Sequence, residues 1–154
     1  MAAYFTDSSA LVKRYVMEVG SSWLKALLDP MTGNVVVVAR ITAVELIAAF
    51  TRRERGGSLS PADAARARTD LRVDLTHEFQ VTEVTETLVI QAMLLAETYG
   101  LRGYDAVQLA AALDVNALLL ASGSPKISLV SADAELNAAA MSEGLMVEDP
   151  NRHP

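Results

Sequence analysis

The sequence predicts one α/β domain over residues 1–150, with a three-layer architecture in which a parallel sheet of about five short strands lies between helices, and a short tail at residues 151–154. Two observations lead to this fold class. Apolar, β-branched runs of strand length alternate with runs of helix length. The run Val35–Ala39 is apolar throughout, which is typical of a parallel strand that is buried on both faces. No repeat, low-complexity tract or long linker divides the chain.

The first half of the chain predicts two strands and four helices. The strands are Ala3–Thr6 and Val35–Ala39. The helices run from about Ser9 to Glu18, from Ser21 or Ser22 to Leu28, from Thr42 to about Arg55, and from the cap Ser60 to about Leu75. Proline in the first turn after Ser60, and glycines after Glu18 and Arg55, mark helix boundaries.

The second half predicts three more strands, each adjoining a helix. The strands are Phe79–Val81, Ile127–Ser131 and Leu145–Glu148. The helices are Thr85–Tyr99, a long apolar helix from Tyr104–Asp105 to Ala121, and Asp133–Glu143. Residues 150–154 are expected to be frayed.

Cysteine and histidine usage limits the chemistry. The chain has no cysteine and only two histidines. A disulfide framework, a thiolate nucleophile and a histidine-rich zinc site are therefore excluded. A metal here would have oxygen ligands, which favours Mg²⁺ or Mn²⁺.

Charge and hydropathy limit the location and the partners. The net charge of −6 argues against coating nucleic acid by bulk electrostatics, although bound cations and a local basic patch could still allow RNA to bind. No uninterrupted apolar run reaches the roughly 20 residues of a membrane span. No basic segment precedes an apolar one at the N-terminus, so we expect no signal peptide and a cytoplasmic location.

The most informative stretch is Leu101–Leu113, LRGYDAVQLAAAL, in which Asp105 is the only acid. A carboxylate at the start of a buried helix is costly unless a cap, a cation or a hydrogen bond offsets it. Aspartate is also a favoured helix cap, so Asp105 alone leaves a structural and a functional interpretation open.

Two further aspartates follow predicted strands and open helices. Asp7 comes after Ala3–Thr6, and Asp133 comes after Val130-Ser131. Ligands of open parallel sheets bind at the carboxyl ends of strands, which favours a site at these positions. Helix capping is the alternative for both aspartates.

Glu45 differs because it lies in the middle of a predicted helix and cannot be an N-cap. Its helical neighbours are almost all apolar. The alternative is an exposed acid paired with Arg52 or Arg53, neither of which has the favoured spacing. If all four acids converge, their charges repel, and a hard divalent cation would relieve the repulsion, activate water and stabilise a phosphoryl oxygen.

The sequence resembles the PIN-domain family, and within it the toxin ribonucleases of the VapC type. The matching segments are FTDSSALVKRY (Phe5–Tyr15), ITAVELIAAFTRR (Ile41–Arg53), LRGYDAVQLAAAL (Leu101–Leu113) and LVSADAELNAAAMSEGLMVEDP (Leu129–Pro150). The resemblance implies a Rossmann-like sheet with an acidic pocket in which Asp7, Glu45, Asp105 and Asp133 hold Mg²⁺ or Mn²⁺. It implies that Ser131 and Ser9 are polar neighbours of these acids.

The resemblance also implies an activity and partners. The activity is endoribonuclease cleavage by metal-activated water, which leaves a 5′-phosphate and a 3′-hydroxyl. The partners are RNA, a second copy in a homodimer, and a small antitoxin that blocks the site. One position departs from the family pattern, because many relatives have histidine where this chain has Gln108, which can still hydrogen-bond.

Basic residues near these segments are candidates for substrate contact. Lys13 and Arg14 follow Asp7 on its helix and could meet RNA phosphates, Arg40 precedes the Glu45 helix, and Arg102 could pair with an acid of the site. A surface role is the alternative for each. Three arginines at the end of the Glu45 helix could contact phosphate or an antitoxin, or simply complement the helix dipole: Arg52, Arg53 and Arg55.

Two other functions stay open from the sequence. A free-standing RNA-processing nuclease of the same fold would carry the same four acids. A catalytically silent binding module could keep the fold alone. Phosphate-binding and dinucleotide-binding glycine fingerprints are absent, and no histidine is placed for a serine hydrolase.

Overall fold

The computed structural model describes all of residues 1–154 and confirms the predicted α/β class. The strands are β1 (Ala3–Thr6), β2 (Val35–Ala39), β3 (Gln80–Thr82), β4 (Ser128–Val130) and β5 (Met146–Glu148). The α-helices are α1 (Ser8–Tyr15), α2 (Ser21–Leu27), α3 (Arg40–Arg55), α4 (Pro61–His77), α5 (Glu86–Tyr99), α6 (Gly103–Ala121) and α7 (Ala134–Ser142). Short 3₁₀ helices lie at Pro30–Thr32 and Pro150–Arg152.

All five strands pair in parallel, in the order β3-β2-β1-β4-β5. The chain moves outward from β1 through β2 to β3, and then returns to the other side of β1 for β4 and β5. The strand order therefore reverses between β1 and β4. In open parallel sheets, ligands bind at the carboxyl ends of the strands beside such a point.

Two apolar cores, one on each face of the sheet, account for the uninterrupted apolar run in β2. Val36 and Val38 belong to the core formed with helices α1 to α4. Val37 and Ala39 belong to the core formed with α5, α6 and α7. Alternate residues of one strand thus point into opposite cores, which is why no polar residue interrupts the run.

The first helix is shorter than the sequence predicts. It ends at Tyr15 rather than near Glu18. The hydroxyl of Ser21 accepts a hydrogen bond from the Glu18 backbone N–H at 2.9 Å and donates to the carbonyl of Val16 at 3.2 Å. These bonds give the backbone a turn in place of another helical turn.

The expectation of a frayed C-terminus is wrong. Residues 150–152 form a 3₁₀ helix, Pro150 is buried, and the His153 ring stacks on Trp23 of α2 with centroids 4.1 Å apart. Gly20 has a φ of +83°, and a Cβ there would lie 2.2 Å from the carbonyl oxygen of Pro150. The tail therefore packs closely against the start of α2.

Helix α6 is long and apolar enough, by length and composition alone, to cross a membrane. Its mean hydropathy is 1.3 and a third of that stretch is buried inside the domain. Its first half contributes a run of fully buried residues to the core beside α5 and α7. A central helix of a folded domain commonly has this composition.

Candidate functional site

Asp7 and Asp133 lie at the carboxyl edge of the sheet, where β1 and β4 are neighbours. Both are helix N-caps: Asp7 accepts a hydrogen bond from the Ala10 backbone N–H at 3.1 Å, and Asp133 accepts one from Leu136 at 2.9 Å. The Asp7 N–H also donates to the carbonyl of Val130, which ties the two strand ends together. Capping and membership of a shared acidic site are therefore compatible at these two positions.

Asp105 and Glu45 reach the same edge from helices. Asp105 lies in the first turn of α6, whose N-cap is Arg102, so the capping interpretation of Asp105 is wrong. Glu45 lies in the middle of α3 and is partly buried, as its apolar neighbours predict. It makes no ion pair with Arg52 or Arg53. The structure thus brings the four predicted acids together from four separate elements.

Burial dominates the electrostatics of Asp7. Its side chain is 1% exposed, and this burial raises its pKa from the usual 3.8 to about 7. Hydrogen bonds from Ser9 and from the Ala10 N–H lower the pKa, and the charges of Asp105 and Glu45 raise it. A carboxylate in this position is costly to ionise without a counter-charge.

Two serines connect Asp7 to the loop that carries Asp133. The Ser9 hydroxyl lies 2.8 and 2.9 Å from the two carboxylate oxygens of Asp7 and accepts the Ala132 backbone N–H at 2.9 Å. The Ser131 hydroxyl lies 3.4 Å from that of Ser9 and accepts the Asp133 N–H at 3.1 Å. Both predicted polar residues therefore hold the acids in place.

Asp105 is the one acid of the four whose carboxylate accepts no hydrogen bond from the protein. Partial burial is the main cause that raises its pKa to about 6, followed by the charges of Asp133, Glu45 and Glu135. Arg102 lowers that pKa, but the net effect is a rise. The Asp105 carboxylate is thus held among like charges without a protein donor.

The acids open onto a cavity of about 370 Å³, here called the acidic cavity. Its lining consists of Glu45, Arg102, Gly103, Tyr104, Asp105 and Asp133. Asp7 does not belong to this lining and is almost fully buried. No group of three or more acidic or histidine side chains has a ready arrangement for holding a metal ion. The four carboxylates are nevertheless the side chains that could ligate a hard cation at this edge.

A groove of about 440 Å³ adjoins the acidic cavity and shares Glu45 and Tyr104 with it; we call it the α1–α3 groove. Its polar residues include Ser8, Ser9, Glu18, Arg52 and Arg53, and its apolar ones Val12, Val44, Leu46, Ala48 and Ala49. The groove therefore joins the acids to the arginine cluster at the end of α3.

The structure separates most of the predicted basic residues from the acids. Lys13 is buried and pairs with Glu18, and Arg14 pairs with Asp74 of α4 at 2.8 Å. Arg40 pairs with Glu83 on the surface. Only Arg102 lines the acidic cavity, and its predicted proximity to an acid is seen in its effect on the pKa of Asp105.

Three residues with a place in this site were not among the candidate site residues predicted from the sequence. Tyr104 is 58% exposed and lies between the cavity and the groove. Ser8 and Thr42 form hydrogen bonds to Glu45 and to Gln108 respectively. The position of Tyr104 immediately before Asp105 was a usable signal, whereas the contacts of Ser8 and Thr42 depend on tertiary packing.

Comparisons with known proteins agree with the fold and the order of the motifs. The model of the PIN domain matches residues 4–140. Ribonuclease VapC45 of Mycobacterium tuberculosis is 31% identical over 154 residues, which is all of both chains. The crystal structure of PAE2754 from Pyrobaculum aerophilum has a TM-score of 0.64 at 21% identity and covers 95% of this chain and 83% of its own.

A second solved structure, a toxin-antitoxin complex from Klebsiella pneumoniae, has a TM-score of 0.59 at 15% identity. The match covers 97% of this chain and 98% of the other. At this level of identity the two structures bear on the fold. The family match and the full-length relative decide the assignment, and the chain belongs to the PIN-domain family.

Proposed function

We propose that the protein is a Mg²⁺- or Mn²⁺-dependent endoribonuclease and the toxin of a toxin–antitoxin pair. The observation that carries the proposal is the Asp105 carboxylate, which has no protein donor and lies among the charges of Asp133 and Glu45. A divalent cation would offset this repulsion. The relative named a ribonuclease, which matches the chain along its whole length, supports RNA as the substrate.

In this proposal each acid has a defined task. Asp105, Glu45 and Asp133 would hold the cation from the wall of the acidic cavity, and the buried Asp7 would be the fourth ligand. When bound, Mg²⁺ or Mn²⁺ would activate the attacking water and stabilise charge on the scissile phosphate. Ser9 and Ser131 would hold Asp7 and the loop of Asp133 in fixed positions through the hydrogen bonds described above.

Substrate contact is assigned to Arg102 and Tyr104. Arg102 lines the cavity beside Asp105 and forms no salt bridge, so its guanidinium is available to a phosphate. The exposed ring of Tyr104 borders both the cavity and the groove, where it can stack on an unpaired base. Lys13 and Arg14 are left out, because both are already paired with acids.

The partner surfaces are proposed from exposed apolar groups. The α1–α3 groove is continuous with the acidic cavity, so an antitoxin segment lying in it would block the site. The complex from Klebsiella pneumoniae supports a partner of that kind. A homodimer is proposed through helices α5 and α6, which pack against each other and expose the apolar residues Ile90, Met93, Leu94 and Leu118.

The first experiment is calorimetric titration of Mn²⁺ into the wild type and into Asp105→Asn, followed by sequencing of the 5′ ends produced from total bacterial RNA. We expect saturable binding by the wild type, much weaker binding by the variant, and 5′-phosphate ends that disappear with chelator. Neither binding nor cleavage by the wild type would refute the proposal and favour a silent binding module. Cleavage that persists in Asp105→Asn would place the active site elsewhere.

A further inference from the structure

The carboxylate of Glu45 is held at both oxygens by uncharged donors. Gln108 of α6 donates from Nε2 to Oε1 at 2.7 Å, and Ser8 of α1 donates from Oγ to Oε2 at 3.0 Å. The two donors belong to different helices, α1 and α6. Rotation of the Glu45 carboxylate would therefore break at least one of these bonds.

The amide of Gln108 has a definite orientation. Its nitrogen also donates to the hydroxyl of Thr42, at 2.8 Å, one helical turn before Glu45 on α3. A carboxylate can only accept, so the nitrogen rather than the oxygen of the amide must face Glu45. One nitrogen with two hydrogens thus bonds two acceptors on the same helix.

These contacts give a physical reason for glutamine at this position. A single imidazole nitrogen carries at most one hydrogen and could not donate to both Thr42 and Glu45. The amide also stays neutral, so the negative charge of Glu45 is not cancelled by its neighbour. A cationic side chain in the same place would compete with a metal for that charge.

Packing alone does not favour glutamine here. Gln108 is 1% exposed, and its carbonyl oxygen is buried without a hydrogen-bond donor. An unpaired buried acceptor destabilises a fold, and an apolar side chain of similar length would avoid that cost. The favourable contribution of Gln108 is therefore its two N–H hydrogen bonds, to Thr42 and to Glu45.

We infer that Gln108 and Ser8 are positioning residues that fix the Glu45 carboxylate for cation binding in the acidic cavity. The inference rests on the proposed metal-dependent function. It assigns to Gln108 a role that needs two neutral N–H donors. It assigns the second anchor of Glu45 to Ser8, one residue after Asp7.

The test compares the wild type with two variants. Gln108→Met keeps the length of the side chain and removes both N–H donors of the amide. Ser8→Ala removes the hydroxyl donor to Glu45 at a less buried position. Calorimetric Mn²⁺ titration is the main readout. Loss of a residue that orients a metal ligand typically weakens affinity about 10- to 100-fold, and we expect that range for Gln108→Met. On a labelled oligoribonucleotide that spans a mapped cleavage site, kcat should fall while KM stays unchanged.

Tyr15→Phe is the matched control, because it removes the partly buried 2.6 Å hydrogen bond from Tyr15 to Asp74, away from the acids. It should lower the melting temperature and leave the Mn²⁺ affinity unchanged. Gln108→His, which keeps one donor, should recover part of the affinity. A crystal structure of metal-free Gln108→Met should show the Glu45 carboxylate displaced or in several rotamers.

The outcomes separate the inference from the proposed function. Wild-type Mn²⁺ affinity in both Gln108→Met and Ser8→Ala, with Glu45 unmoved, would overturn the positioning role and leave the nuclease proposal intact. A wild type that neither binds Mn²⁺ nor cleaves RNA would refute the proposed function, and the inference with it. A higher melting temperature together with weaker Mn²⁺ binding in Gln108→Met would support the positioning role most directly.

Discussion

Replacing Asp7 with asparagine should stabilise the metal-free protein at alkaline pH. Asparagine is as good an N-cap as aspartate and can keep the bond from the Ala10 N–H. What changes is the buried charge, whose cost is expressed in the rise of the Asp7 pKa from 3.8 to about 7. At about 1.4 kcal/mol for each pH unit, this rise sets an upper limit of about 4 kcal/mol on the gain.

Relaxation and water penetration reduce the cost of a buried charge, so we expect a gain of about 2 kcal/mol in the free energy of unfolding above pH 8. For a domain of this size, that corresponds to a rise of roughly 4–8 °C in melting temperature. The measurement is thermal unfolding followed by circular dichroism in the presence of a chelator. Asp133→Asn is the matched control: it keeps an N-cap but removes a less buried charge, so its gain should be smaller.

The pH dependence identifies the cause. The unfolded chain loses the Asp7 proton near pH 3.8 and the folded protein near pH 7, so between these values the folded state binds more protons. The wild type therefore loses stability as pH rises through this interval, and the loss is constant above it. The advantage of Asp7→Asn should be small near pH 4.5 and largest above pH 7. An equal advantage at pH 4.5 and pH 8.5, or a variant less stable than the wild type at pH 8.5, would refute the buried-charge argument.

Three further changes test other parts of the structure. Arg102→Ala should raise the KM for RNA several-fold and make the logarithmic salt dependence of RNA binding shallower by about one unit, as for the loss of one phosphate contact; an unchanged salt slope would leave Arg102 a surface residue. Tyr104→Ala should weaken RNA binding by about 1–3 kcal/mol in a fluorescence titration while Tyr104→Phe stays near the wild type, and equal loss in both would contradict stacking. Gly20→Ala should destabilise the fold by more than about 2 kcal/mol in thermal unfolding, because a left-handed residue gains a Cβ 2.2 Å from the Pro150 carbonyl oxygen. Gly33→Ala is the control: its φ is +73° and the space around its Cβ is open, so it measures the cost of the left-handed backbone alone. An equal loss in both variants would show that the contact with the tail is unimportant.

The sheet was predictable because its signal is local. A strand buried on both faces must be apolar at every position, and Val35–Ala39 met that condition without help from the rest of the chain. The packing of His153 on Trp23 depends on residues far apart in sequence, and no local pattern announces it. The sheet was found because its signal is local, and the tail was mispredicted because its packing is not.

The acids were predictable as a set and ambiguous one at a time. Strand-end position located Asp7 and Asp133, and capping was the alternative for both. The sequence could not show that each side chain caps a helix and also lies at the acidic site. Lys13 was grouped with Asp7 by sequence proximity, whereas six residues turn a helix by about 240° and carry that side chain away from the acid. Arg14 returns to a similar face, but lies two turns further on and meets Asp74. Such assignments need the partner helix, which the sequence does not identify.

The distribution of paired charges limits how a protein with a net charge of −6 could bind RNA. The salt bridges engage six of its basic residues, Lys13, Arg14, Arg40, Arg53, Arg66 and Arg68. Beside the acids, Arg102 is the cation left free for a phosphate. One arginine cannot offset four carboxylates, so RNA affinity in the proposed site must depend on bound Mg²⁺ or Mn²⁺ as well as on cleavage chemistry. Chelation should then weaken RNA binding itself, and Asp105→Asn, which removes one repulsive charge, should lose less RNA affinity on chelation than the wild type does.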